Sequence, residues 1–124
     1  MPYINDTDLD ALLNSIDTAV EKLHICSQEP ANYTEAATTY TLGNKATPTV
    51  NAPSDRTPNG REVVIDAITD GSVTATGTAS HWALVKDSAT ARLVAAGALS
   101  STQGVTNGNT FTLTQFAIGV PDAV

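Results

Sequence analysis

Leu9, Leu12, Leu13, Ile16, Val20 and Leu23 recur at i, i+3, i+4, i+7, i+11 and i+14. This spacing lays a single apolar stripe along a helix and predicts one over residues 7–20. Thr7-Asp8-Leu9-Asp10 fits a capping box, with the Thr7 hydroxyl accepting from the Asp10 amide and the Asp10 carboxylate returning the bond. Asp8 and Asp10 also sit where a helix dipole favours negative charge. Such a stripe covers a core or docks on a partner chain.

The period then shortens. Leu23-His24-Ile25-Cys26 reads as a short strand, closed by Gln28-Glu29-Pro30. Residues 27–60 are rich in Ser, Thr, Asn and Pro and read as a loop-rich connection. A helical turn is expected near 33–37, with short extended pieces near 38–42 and 48–51. From residue 61 the alternation is that of strands. Arg61–Ile68, Ser72–Gly77, His81–Lys86, Arg92–Leu99 and Thr110–Ile118 are the expected strands, and residues 61–120 a β-rich body. Asp70-Gly71 and Asn107-Gly108 carry the dipeptide signal of hairpin turns. The expected fold is a single domain over 1–124. It is mainly β, an antiparallel β-sandwich or small barrel with one N-terminal amphipathic helix.

Composition narrows the function classes. The chain has 124 residues and a net charge of −7, with 19 threonines and 18 alanines. Threonine suits the wet face of a pleated sheet. Residues 1–35 hold seven acids and one base, a balance of −6, so nearly all the charge is N-terminal. Six basic residues against thirteen acids argue against a nucleic-acid-binding face. No apolar run reaches 18 residues, which argues against a transmembrane helix. Met1-Pro2-Tyr3-Ile4-Asn5-Asp6 has neither the basic start nor the apolar stretch of a signal peptide. The one cysteine excludes an intrachain disulfide.

Candidate chemistry is sparse. Cys26 sits in an apolar strand and reads as a buried thiol, although His24 shares its strand face. His24 and His81 stand alone, without HxH, HExxH or CxxC, so no metal site is expected. Asp6, Asp8 and Asp10 begin like a calcium loop. Ala11 and Asp17 then stand where that loop needs Gly and Glu. Asp55-Arg56-Thr57-Pro58-Asn59-Gly60-Arg61 is a polar run whose charges pair with a partner or brace the loop. GxSxG, Walker A and GxGxxG are absent, and no enzyme and no cofactor are expected.

Four stretches carry a resemblance. HICSQEPANYTEA (24–36), DRTPNGREV (55–63), DGSVTATGTASHWALVKDSATARLVAAGALSS (70–101) and NGNTFTLTQFAIGVPD (107–122) resemble small proteins encoded in the structural-gene modules of tailed bacteriophages. The resemblance spans most of the chain and lies in whole-strand texture. It implies a structural virion protein, first a head decoration (cement) protein on the outer face of the capsid, made in the host cytoplasm. The implied partners are the major capsid protein and neighbouring copies of the chain, with no nucleic acid and no membrane. Lattice proteins sit on symmetry axes, so a homo-oligomer is expected, a trimer first. The expected contacts are Tyr3, Ile4, Tyr33, Tyr40, Asp55, Arg56 and Arg61, within segments 1–5 and 27–60 and the residue that follows them. The competing implication is a tail, neck or fibre component. Its β-sandwich would bind a receptor or glycan, with Trp82, Tyr33 and Tyr40 stacking on a sugar ring.

Overall fold

The computed structural model describes residues 5–57, 60–88 and 90–120. In chain order the elements are α1 (Asp6–Ala19), β1 (Lys22–Cys26), a π-helical turn (Glu35–Thr39), β2 (Thr41–Ala46), β3 (Ser54–Asp55) and β4 (Arg61–Ile65). There follow β5 (Ile68–Val73), β6 (Gly77–Lys86), β7 (Arg92–Val105), β8 (Thr110–Leu113) and β9 (Phe116–Val120). The chain is mainly antiparallel β with one N-terminal helix, the class that the alternation and the stripe predict.

Contacts divide the chain into two compact units that share the sequence alternately. One takes the described residues up to Thr18, Thr49–Ala67 and the described residues from Thr114; the other takes Ala19–Pro48 and Ile68–Leu113. In the first unit, Leu9 and Leu13 of α1 are buried, as are Val63 and Ile65, the alternate residues of β4. Leu12, expected on the same stripe, stands 53% exposed. The helix cap is Asn5 rather than Thr7. The Asn5 side-chain oxygen accepts from the Thr7 amide at 2.8 Å, and its carbonyl accepts from Asp8 and Leu9. The helix therefore starts two residues earlier than the Thr7 box implies, and Thr7 lies inside the first turn. The unit's sheet has the order β3-β4-β9, with Val63 opposite Ile118.

The second unit holds a six-stranded sheet of order β7-β6-β1-β2-β5-β8. The 27–60 connection is thus more structured than its composition suggests, because β2 is an interior strand. One row of paired residues crosses the sheet on one face: Ala96, Ala83, His24, Asn44, Ser72 and Thr110. Residues 27–40 form a strap over the β6–β1 end of that face. There Cys26, Ala36, Ala83 and Val85 are fully buried, and Tyr33, Tyr40, Leu93 and Ala96 pack against them. Ser72, Thr110 and Thr112 on the β5–β8 side stay exposed, the wet role expected of hydroxyl side chains.

The expected strand boundaries differ throughout the β-rich body: the strand from Arg61 ends at Ile65, the one expected over Ser72–Gly77 lies instead at Ile68–Val73, and the one expected from His81 begins at Gly77. Asp70-Gly71 is not a hairpin turn but lies within β5. Gly71 is needed there for space: a Cβ on it would fall 2.2 Å from the Phe111 ring on β8. Asn107-Gly108 does turn, with Gly108 at φ +91°. The strand expected over Arg92–Leu99 runs on to Val105, with the register slipping where Ala79 and His81 face Gln103 and Ala98. The strand expected over 110–118 breaks at Thr114-Gln115 into β8 and β9, which belong to different sheets.

Candidate functional site

The expected contact residues fall in two places, one in each unit. Tyr3 and Ile4 lie outside the described residues.

In the six-stranded unit, Tyr33 and Tyr40 flank the π-helical turn and are half-buried. The Tyr33 hydroxyl donates to Asp87 Oδ1 at 2.9 Å, and Lys22 Nζ meets Asp87 Oδ2 at 3.1 Å. Both Asp87 oxygens are therefore engaged, joining the strap to the ends of β1 and β6. Partial burial pushes the Asp87 carboxyl up, but Tyr33 and Lys22 together outweigh it and hold it below its ordinary value. The same bond to Asp87 keeps the Tyr33 phenol protonated above its usual range. Alongside, Glu21 Oε1 accepts from the Ser88 amide at 2.9 Å and its hydroxyl at 2.7 Å, which lowers the Glu21 carboxyl. Tyr40 donates to Glu35 Oε2 at 3.4 Å, and Glu35 Oε1 accepts from the Ala31 amide. The tyrosine hydroxyls are thus used in fastening the strap. Trp82 lies over Gly97, its register partner on β7.

In the helix-containing unit, Arg61 is held by two carboxylates. Its Nε donates to Asp10 Oδ1 at 2.7 Å and its Nη2 to Asp10 Oδ2 at 3.2 Å, a two-point contact from β4 to α1. Nη1 donates to Asp55 on β3, and Nη2 also reaches the Pro53 carbonyl. Asp10 and then Asp55 raise the guanidinium further above its already high range. Of the two readings of the 55–61 run, the bracing one describes Arg61, whose side chain is only 17% exposed. Asp55 is 89% exposed while bonded, and Arg56 lies along Gly119 of β9. Sequence spacing does not reveal Asp10 or Asp87, because each partner lies more than fifty residues away.

Cys26 is fully buried, its thiol donating to the Ala36 carbonyl at 3.7 Å; burial pushes its pKa up to about 11, the opposite of an activated nucleophile. His24 is 5% exposed and bonds Thr41 Oγ1 through Nδ1 at 2.8 Å, while its Nε2 has no partner. His81 bonds Ser80 Oγ and stands 4.0 Å from Glu29. Among the described residues no three His, Cys, Asp or Glu side chains converge as metal ligands, and no helix is long and apolar enough to cross a membrane. Comparison with protein-family models, with curated proteins and with solved structures returned no match.

Proposed function

We infer that the chain is a structural, non-catalytic protein of a tailed-phage virion. It acts as a decoration protein that binds the outer face of the major capsid lattice beside other copies of itself and stabilises the head. One observation carries this reading along with the textual resemblance. β7 is a 14-residue strand at the edge of the six-stranded sheet, with Arg92 as its sole charged residue. An edge of that length offers main-chain donors and acceptors to a neighbouring subunit. Its Ala95-Ala96-Gly97-Ala98 run lets the neighbour's backbone approach closely. On a lattice of many copies, a small energy per contact is enough to stabilise the assembly. Its acidic character keeps a crowded particle soluble.

Deleting 27–60 is no test, because it removes β2 from the interior of the sheet. Gold-labelled antibody on intact particles is the direct one. Label over the head supports the reading; label confined to the tail, or its absence from particles, overturns it. Ala98→Lys, at an exposed edge position, is expected to weaken capsid binding at least tenfold while leaving the far-UV spectrum unchanged.

A further inference from the structure

Asn107-Gly108 turns the chain from β7 into β8, and the same pair of residues can react with itself. The Gly108 amide nitrogen is placed to attack the Asn107 side-chain carbonyl, because glycine has no side chain to block the approach. A bond forms from that nitrogen to Cγ, and the Cγ–Nδ2 bond breaks. Nδ2 leaves as ammonia, taking the Gly108 amide proton with it. Water then opens the cyclic imide at one of its two carbonyls, to aspartate or to isoaspartate. Asn107 is exposed, so water reaches it.

The backbone decides whether the attack can occur. The Asn109 amide donates to the Thr106 carbonyl at 3.0 Å, closing a turn with Asn107 and Gly108 at its centre. Gly108 has φ +91°, and Asn107 does not share a positive φ. That combination is a type II turn. Ring closure eclipses Cβ with the Gly108 nitrogen and needs an Asn107 ψ of about −120°, whereas the turn sets it at about +120°. The Asn107–Gly108 peptide must therefore rotate before the imide can form. Three further bonds oppose that rotation. The Asn107 amide donates to Thr76 Oγ1 at 3.0 Å, and the Val73 amide donates to the Asn109 carbonyl at 2.9 Å. The third is the Gly108 amide itself, which donates to the Val73 carbonyl at 3.1 Å. The nucleophile is thus turned away from Cγ and its proton is held by β5.

We propose that Asn107 is a deamidation site latched by its own turn. The folded β5–β8 end keeps it inert, and it converts only in chains where that end has opened. The conversion runs one way. Where it yields isoaspartate, the main chain gains a methylene and a carboxylate, and the turn can no longer present Gly108 and Asn109 to Val73 in the same spacing. The latch does not rest on the virion reading.

Peptide mapping by mass spectrometry tests it, on the full chain and on a synthetic peptide of residues 104–111 in the same mildly alkaline buffer. The map reads Asn107 separately from Asn59-Gly60, the other Asn-Gly pair of the sequence. Asn107 in the folded chain is expected to convert at least tenfold more slowly than in the peptide. In the full chain unfolded by urea it is expected to convert at the rate of the peptide in the same urea. A folded chain that converts as fast as the peptide overturns the proposal. An unfolded chain that converts as slowly as the folded one overturns it equally, since the protection would then lie in the neighbouring residues and not in the turn.

Discussion

Gly71→Ala isolates the contact that displaces the Asp70-Gly71 turn. A Cβ on Gly71 would lie 2.2, 2.3 and 2.6 Å from three atoms of the Phe111 ring, where carbon atoms ordinarily rest about 3.5–4.0 Å apart. The ring must withdraw by more than 1 Å to restore ordinary contact. Phe111 is 1% exposed, so that movement runs into packed neighbours. Overpacking of this kind costs about 1–3 kcal/mol. Gly71 does not have a left-handed backbone, so alanine adds no backbone strain, and its lower unfolded-state entropy returns roughly 0.4–1 kcal/mol. The expected net loss is about 1–2 kcal/mol. Phe111→Ala alone should cost about 3–5 kcal/mol through its cavity, within the roughly 5–15 kcal/mol stability of a typical domain. In the Phe111→Ala background the added methyl meets empty space, so the two changes should couple favourably by about 1–3 kcal/mol. Urea unfolding followed by Trp82 fluorescence and circular dichroism reads all four corners, since Trp82 lies in the same unit. A Gly71→Ala loss of equal size with and without the Phe111 ring would refute the steric account.

Two further outcomes concern the ionic ties. Asp10→Asn should lower the urea midpoint more than Asp55→Asn, because Asp10 is 31% exposed and makes the two-point bond whereas Asp55 is 89% exposed; equal effects would deny that the guanidinium geometry matters. Asp87 is held below its ordinary value, so its contribution is complete above about pH 4 and is lost as the pH falls through its folded pKa. Asp87→Asn should therefore flatten the acid side of the stability curve below that pH, and Tyr33→Phe should flatten it in part, by urea midpoints from pH 6 to 2.

The helix was legible because Leu9, Leu13 and Ile16 repeat at its period, and β4 because Val63 and Ile65 alternate. The cap was misplaced because Asn5 and Thr7 are both good capping residues, and only the backbone bonds choose between them. Asp70-Gly71 misled because glycine serves two purposes, a left-handed turn or room for a neighbour, and the dipeptide does not say which. The break at Thr114-Gln115 is visible as a phase slip, since the apolar positions pass from Phe111 and Leu113 to Phe116 and Ile118. β2, reading Thr-Leu-Gly-Asn-Lys-Ala, has no clean alternation, and its interior place depends on β1 and β5 on either side. Charged pairs such as Arg61 with Asp10 leave no local trace, because the fold rather than the spacing brings them together.

The alternating division of the chain between two units bears on synthesis. Val63 of β4 waits for Ile118 of β9, so on the ribosome the smaller sheet lacks a strand until almost all the described chain has emerged. During that interval β4 presents an open edge on which another nascent chain could pair. Arg61 and Glu62 at the start of β4 put charge beside that edge during the period of exposure, as gatekeeper residues do in other slow-closing sheets.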